Sequence, residues 1–176
     1  GISRKSTNLK DGGMIMDRLE QVKQLLSDKH LDALVVLSDF NRRYLSQFTG
    51  TSGALIITPE KRILLTDFRY MDQASQQATE FNVINQDGNL LDAIKSHLQD
   101  LNVENVGFEG NLVSYDTYLK LSKAPISLIS VSGAIEEIRE VKTEDEIQII
   151  QKAAEIVDEA YDYILTVTKA GMTEHD

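Results

Sequence analysis

The chain has 176 residues, 41% of them hydrophobic and 26% charged, with no cysteine and a net charge of −10. That length and apolar content suffice for one substantial core. The acidic balance argues against nucleic acid as a partner, because affinity there rests on Lys and Arg neutralising phosphates. Without cysteine there are no disulfides and no thiolate chemistry, which fits a cytoplasmic protein.

Residues 1–13 show no periodicity and end in a Gly pair, so they are read as a disordered leader or expression remnant; a native start at Met14 or Met16 is compatible with this. Basic residues occur there without a following apolar segment, unlike a signal peptide. The richest apolar runs, 33–37 and 54–57, are strand-sized, and the long run of a membrane helix is missing.

Leu19, Val22, Leu25 and Leu26 recur at helical spacing and predict a first helix from Met16 to about Lys29. The ALVVL run over 33–37 suits a strand covered on both faces. A short helix and loop follow over 41–48. Strands over 54–58 and 62–66 flank Pro59-Glu60-Lys61, a hairpin signal. A polar-faced helix (68–79), a strand (81–85), a helix carrying Leu90, Ile94, Leu98 and Leu101, and a strand (105–108) come next. A helix over 115–123, capped by Ser114, leads to a strand over 126–131. The alternation predicts a three-layer α/β domain with a mixed, mostly parallel sheet between helices, spanning 14–140.

Residues 141–176 read differently. After a short helix over 134–141, Thr143-Glu-Asp-Glu146 forms a capping box. Ile147, Ile150, Ala154, Val157, Tyr161 and Ile164 then mark one stripe of a long helix that ends near Gly171. Thr173 to Asp176 reads as the capped start of another helix, so this part is expected to be a linker and the first helix of a truncated second domain.

Local chemistry is sparse. His30, His97 and His175 each stand alone, and His30 and His97 read as surface residues; no HExxH or Cys/His spacing occurs, and no catalytic residue or metal ligand is expected in this chain. Gly50-Thr-Ser-Gly53 reads as a turn rather than a phosphate loop, since it precedes a strand and lacks a GK[ST] ending. The carboxylates from Glu136 to Glu146 read as solvated helix surface. Three segments stand out. Residues 38–48 follow a buried strand, where α/β sheets place ligand contacts; either they bind, or Tyr44, Leu45 and Phe48 pack the core while Arg42 and Arg43 are solvated. Asp67 and Arg69 read as a structural ion pair at a strand-to-helix junction. Glu109 ends a buried strand and also reads as structural.

These segments carry a resemblance. Asn41-Arg-Arg-Tyr-Leu-Ser-Gln-Phe-Thr-Gly-Thr-Ser-Gly-Ala-Leu resembles N-x-R-Y-L-T-G-F-T-G-S-x-G-A-L of the creatinase, prolidase and aminopeptidase P family. Leu65-Thr-Asp-Phe-Arg-Tyr70 is similar to its L-T-D-x-R-Y, and Val106-Gly-Phe-Glu-Gly110 to its V-G-F-E-G. Ile135-Glu-Glu-Ile-Arg-Glu-Val-Lys142 with Glu146-Ile147 is similar to I-E-x-x-R-x-x-K-x-x-x-E-I, and Ala170-Gly-Met-Thr173 to the family's G-M-T-E. The matches are collinear from Met16 onward. Two positions depart from the pattern: Gln47 replaces a glycine and Arg42 an apolar residue.

The resemblance implies a creatinase N-terminal-like fold with a ribonuclease H-like motif, joined to a "pita-bread" catalytic domain. In the family that second domain holds two divalent metals, manganese or cobalt, on two Asp, one His and two Glu, none of them matched here. It further implies a proline-specific dipeptidase or aminopeptidase that cuts short proline-containing peptides, works as a homodimer, and is gated by this domain. Phe40, Asn41, Arg43 and Tyr44 would line the substrate-pocket rim, and the fragment alone would be inactive. The alternative is a non-catalytic protein- or peptide-binding module of the same fold.

Overall fold

Six short strands form one sheet in a computed structural model that describes residues 11–173. They are β1 (Ala33–Val36), β2 (Ala54–Ile57), β3 (Arg62–Thr66), β4 (Asn82–Asn85), β5 (Asn105–Phe108) and β6 (Ser127–Ser130), in the order β4-β3-β2-β1-β5-β6. β2 is antiparallel to both its neighbours, whereas β1–β5, β5–β6 and β3–β4 are parallel. The sheet is therefore mixed and mostly parallel, as the alternation predicts. The hairpin closes at Pro59-Glu60, where Thr58 N–H donates to Lys61 O at 2.8 Å and Ile57 pairs with Arg62.

Period-two alternation divides the strand side chains between two cores. Leu34, Val36, Leu55, Ile57 and Leu64 point to one face. There they meet Leu19, Val22 and Leu26 of α1 (Asp11–Asp28), Leu45 of α2 (Asp39–Ser46), Ala74 of α3 (Met71–Gln77), and Ala134 and Ile135 of α6 (Ala134–Glu140). Ala33, Val35, Ala54, Ile56, Leu65 and Val106 point the other way, onto Ile94 and Leu98 of α4 (Leu90–Asp100) and Leu121 of α5 (Tyr115–Leu121). Helices on both faces of one sheet make three layers. β1 and β2 are wholly buried because both faces are covered, whereas edge strands β4 and β6 keep exposed ends.

Two local expectations change. α1 begins at Asp11, so residues 11–13 belong to the helix rather than the leader; the apolar stripe that reveals a helix starts only at Leu19, and earlier turns carry no periodic signal. The helix expected over 68–79 is a 3-10 turn, Phe68–Tyr70, followed by α3. Residues 1–10 of the expected leader and 174–176 of the expected further helix lie outside the described residues.

The chain divides after Arg139 into two units. In the second, α7 (Glu144–Val167) opens with the expected capping box: Thr143 Oγ1 accepts from Glu146 N–H, and Glu146 accepts from Thr143 N–H at 2.9 Å. It contributes no buried side chain, and Gly171 follows it with φ +95°.

Candidate functional site

Because only β2 runs against the rest, the carboxyl ends of β1, β3, β4, β5 and β6 share one edge of the sheet. The chain leaves β1 toward β2 on one side and returns to β5 on the other, so the β1/β5 crevice at this edge is a topological switch point. Sheets of this kind commonly bind anionic ligands there. Here the crevice is filled by the chain's own carboxylate, Glu109, which directly follows β5 and is 2% exposed. Its Oε2 accepts from the Leu37 and Ser38 N–H groups at 2.7 and 2.9 Å. Its Oε1 accepts from Ser38 Oγ at 2.5 Å and Asn41 Nδ2 at 2.8 Å. Four donors satisfy a buried charge that would otherwise be costly, and they fix the start of α2.

Asn41 extends the network. Its Nδ2 also donates to Glu136 Oε1 at 2.8 Å, and its Oδ1 accepts from Arg139 Nη1 at 3.2 Å. Glu136 and Arg139 stand on α6, so one buried amide joins β5, α2 and α6.

The next turn of α2 organises the loop before β2. Arg42 is 1% exposed, and its guanidinium donates to Gly53 O at 2.8 Å and Gly50 O at 2.7 Å while pairing with Asp39 at 2.9 Å. Its fork suits two carbonyls at once, a geometry an ammonium could not copy. Gly50 is required by close approach: a Cβ there would lie 2.2 Å from the Phe48 ring. α2 ends at Gln47, whose N–H still donates to Arg43 O at 2.7 Å while its left-handed φ of +62° turns the following chain out of the helix.

Around this frame lies a recess of about 270 Å³, lined by Asp39, Phe40, Arg43, Phe48 and residues 49–51. Phe40 is 45% exposed and Arg43 is exposed. Tyr44 is half-buried, with Arg18 4.1 Å and Arg139 5.5 Å from its ring centroid. On the far side of the loop, Thr51 Oγ1 and Tyr70 Oη lie 2.8 Å apart. Asp67 and Arg69 form a two-pronged ion pair with contacts of 2.9 and 2.8 Å, and Asp67 also caps the 3-10 turn through Arg69 N–H. The hydrogen-bonded Arg69 guanidinium holds the Asp67 carboxyl below the usual carboxylate range and raises Arg69 in return.

The four residues expected at the rim therefore separate. Phe40 and Arg43 border the recess, Tyr44 stands half-buried behind them, and Asn41 is fully buried. Asn41 cannot touch a ligand, because both ends of its amide are engaged inside the protein. The reading of Arg42 as solvated is likewise corrected, since its charge is spent on two carbonyls and Asp39. Glu136 is half-buried and bonded to Asn41 rather than solvated, and His97 is half-buried, with Nδ1 2.8 Å from Ala93 O. Periodicity missed Glu136 and Arg139 as partners of α2 because their spacing reports only a polar helix face. Among the described residues no group of three or more His, Asp or Glu is placed to hold a metal ion. No described helix is long and apolar enough to cross a membrane.

The fold and this network define a creatinase-type α/β domain. The chain belongs to the Creatinase/Prolidase N-terminal domain family, whose pattern matches residues 18–141. It is 33% identical over 159 residues to the uncharacterized peptidase YqhT of Bacillus subtilis, covering 89% of this chain and 45% of that protein. The Xaa-Pro dipeptidase from Bacillus anthracis superposes with a TM-score of 0.85 at 31% identity, over 91% of this chain and 45% of the other. The N-terminal domain of the cytoplasmic peptidase PepQ from Mycobacterium tuberculosis matches with a TM-score of 0.64 at 29% identity, over 69% of this chain and 97% of that domain. The chain thus spans less than half the length of these two longer relatives.

Proposed function

We propose that the chain is the N-terminal domain of a cytoplasmic, metal-dependent Xaa-Pro dipeptidase or aminopeptidase that hydrolyses the bond before proline in short peptides. The observation carrying this reading is the family match over residues 18–141, in a chain that spans 45% of a peptidase relative. In this reading two divalent ions, manganese or cobalt, would be held by residues outside these 176 and would supply an activated water for the hydrolysis. The domain described here shapes access to that chemistry and supports a homodimer. Its carboxyl-edge frame supports such a role: Glu109 and Asn41 hold the start of α2, Arg42 ties α2 to the loop that follows it, and the exposed Phe40 ring offers an apolar face to a small peptide.

The test is hydrolysis of Ala-Pro and longer Xaa-Pro peptides with added manganese. The 176-residue chain gives no turnover, and the same chain continued through its downstream region does. Turnover by the short chain alone would refute the division of labour. A longer chain that binds such peptides without cutting them would favour the non-catalytic binding module.

A further inference from the structure

We propose that Arg139, on α6, is a positioning residue that sets how Phe40 is presented at the rim of the recess and how Tyr44 is held behind it. Phe40 and Tyr44 lie four residues apart on α2 and so share one face of that helix. The Arg139 guanidinium reaches that face from an element nearly a hundred residues away in sequence. It sits 5.4 Å from the Phe40 ring centroid and 5.5 Å from that of Tyr44, within the range in which a cation is attracted to a ring face. The same group donates to Asn41 Oδ1 at 3.2 Å, and Asn41 lies on α2 between the two rings. One planar cation therefore touches both rings and the amide that ties their helix to the sheet.

The two rings depend on it differently. Tyr44 is also held by Arg18, whose guanidinium lies 4.1 Å from the ring centroid and donates to Tyr44 O at 2.9 Å. Phe40 is 45% exposed, and among the described residues Arg139 is the cation recorded on its ring. An exposed Phe otherwise samples several rotamers. Loss of Arg139 should thus free Phe40 first and Tyr44 little, while Asn41 keeps its bonds to Glu109 and Glu136 and the fold stays intact. A pre-ordered aromatic contact lowers the entropy lost on binding, so its loss should weaken binding without altering the chemical step.

This inference rests on the proposed peptidase reading for its kinetic consequence, and its structural consequence stands alone. In the 176-residue chain, ring-proton NMR would compare the unaltered protein with Arg139→Gln and Arg139→Lys, thermal melts confirming that each folds. Arg139→Gln should erase the nuclear Overhauser contacts between residue 139 and both rings and average the Phe40 ring environment; Arg139→Lys, which keeps the cation, should partly retain them. In the longer enzyme, Arg139→Gln should raise KM for short Xaa-Pro peptides on the order of tenfold at unchanged kcat, with Arg139→Lys restoring part of the loss. An unaltered Phe40 environment in folded Arg139→Gln, or a fall in kcat at constant KM, would overturn the proposal. If the unaltered longer protein cuts no Xaa-Pro peptide, the peptidase reading fails and the ring measurements alone decide the role of Arg139.

Discussion

Gln47 occupies a backbone position that glycine fills more cheaply. Its φ of +62° lies in the left-handed region, where a Cβ crowds the following carbonyl. The related family pattern carries glycine here, and the conformation supplies the physical reason. Gln47→Gly should stabilise the chain by about 1 kcal/mol, the relief of that crowding less the extra freedom glycine has when unfolded. The gain should appear as a rise in melting temperature of roughly 2–4 °C, and an unchanged or lower value would count against it. Asp67 makes a second prediction at this scale. Its carboxyl is held below its ordinary range by Arg69, so the unfolded chain binds a proton more readily than the folded one. The stability contributed by the pair is therefore present above the usual carboxylate range and is lost as pH falls through the depressed folded value. A carboxyl NMR titration should find the Asp67 midpoint on the acid side of the normal range. Asp67→Asn should flatten the acid limb of the stability profile, and a midpoint at or above the normal value would contradict the ion pair.

At the scale of elements, the informative unit is α2, an eight-residue helix tied to the sheet by a carboxylate from another strand. A short helix has little stability of its own, so its place depends on Glu109. Replacing Glu109 by Ala leaves the Leu37 and Ser38 N–H groups and the Ser38 hydroxyl without their acceptor, and Asn41 Nδ2 with Glu136 alone, at a cost on the order of 3 kcal/mol. Glu109→Gln should recover part of the loss, because its carbonyl can still accept from the Leu37 and Ser38 N–H groups and the Ser38 hydroxyl can turn to accept from the new amide, leaving only Asn41 Nδ2 facing another donor. Denaturant melts and amide exchange at Leu37 and Ser38 would measure this; slow exchange persisting in Glu109→Ala would show another acceptor takes over. This helix also marks where sequence reading stops. The ALVVL run, the Pro59-Glu60 turn and the Thr143 capping box announce themselves through local pattern, so strands, hairpin and the long helix were legible. The Asn41 amide meets Glu109 and Arg139 across separations of 68 and 98 residues. No periodicity reports such pairings, so the pattern gave no sign that Asn41, a rim residue by resemblance, is buried, and left Arg42 open between binding and solvation. Asp67 and Arg69 were legible as a pair because they are two residues apart.

For the whole molecule, the distribution of buried surface predicts which part folds alone. Both hydrophobic cores and their flanking side chains come from residues 19–138, and the sheet-bearing unit ends at Arg139. α7 has 24 residues and a capping box but buries none of its side chains. Burying a large apolar side chain is worth about 1.5–3 kcal/mol, so an element that buries none adds little to the cooperative transition. A chain ending after Lys142 should keep the melting temperature of the 176-residue chain within about 2 °C, because that value tracks the free energy of the cooperative core. It should lose helical circular dichroism in proportion to the missing helix. A large drop in melting temperature on shortening would mean that α7 does stabilise the sheet-bearing unit. The apolar stripe of Ile147, Ile150, Val157, Tyr161 and Ile164 would then contribute to that unit's stability.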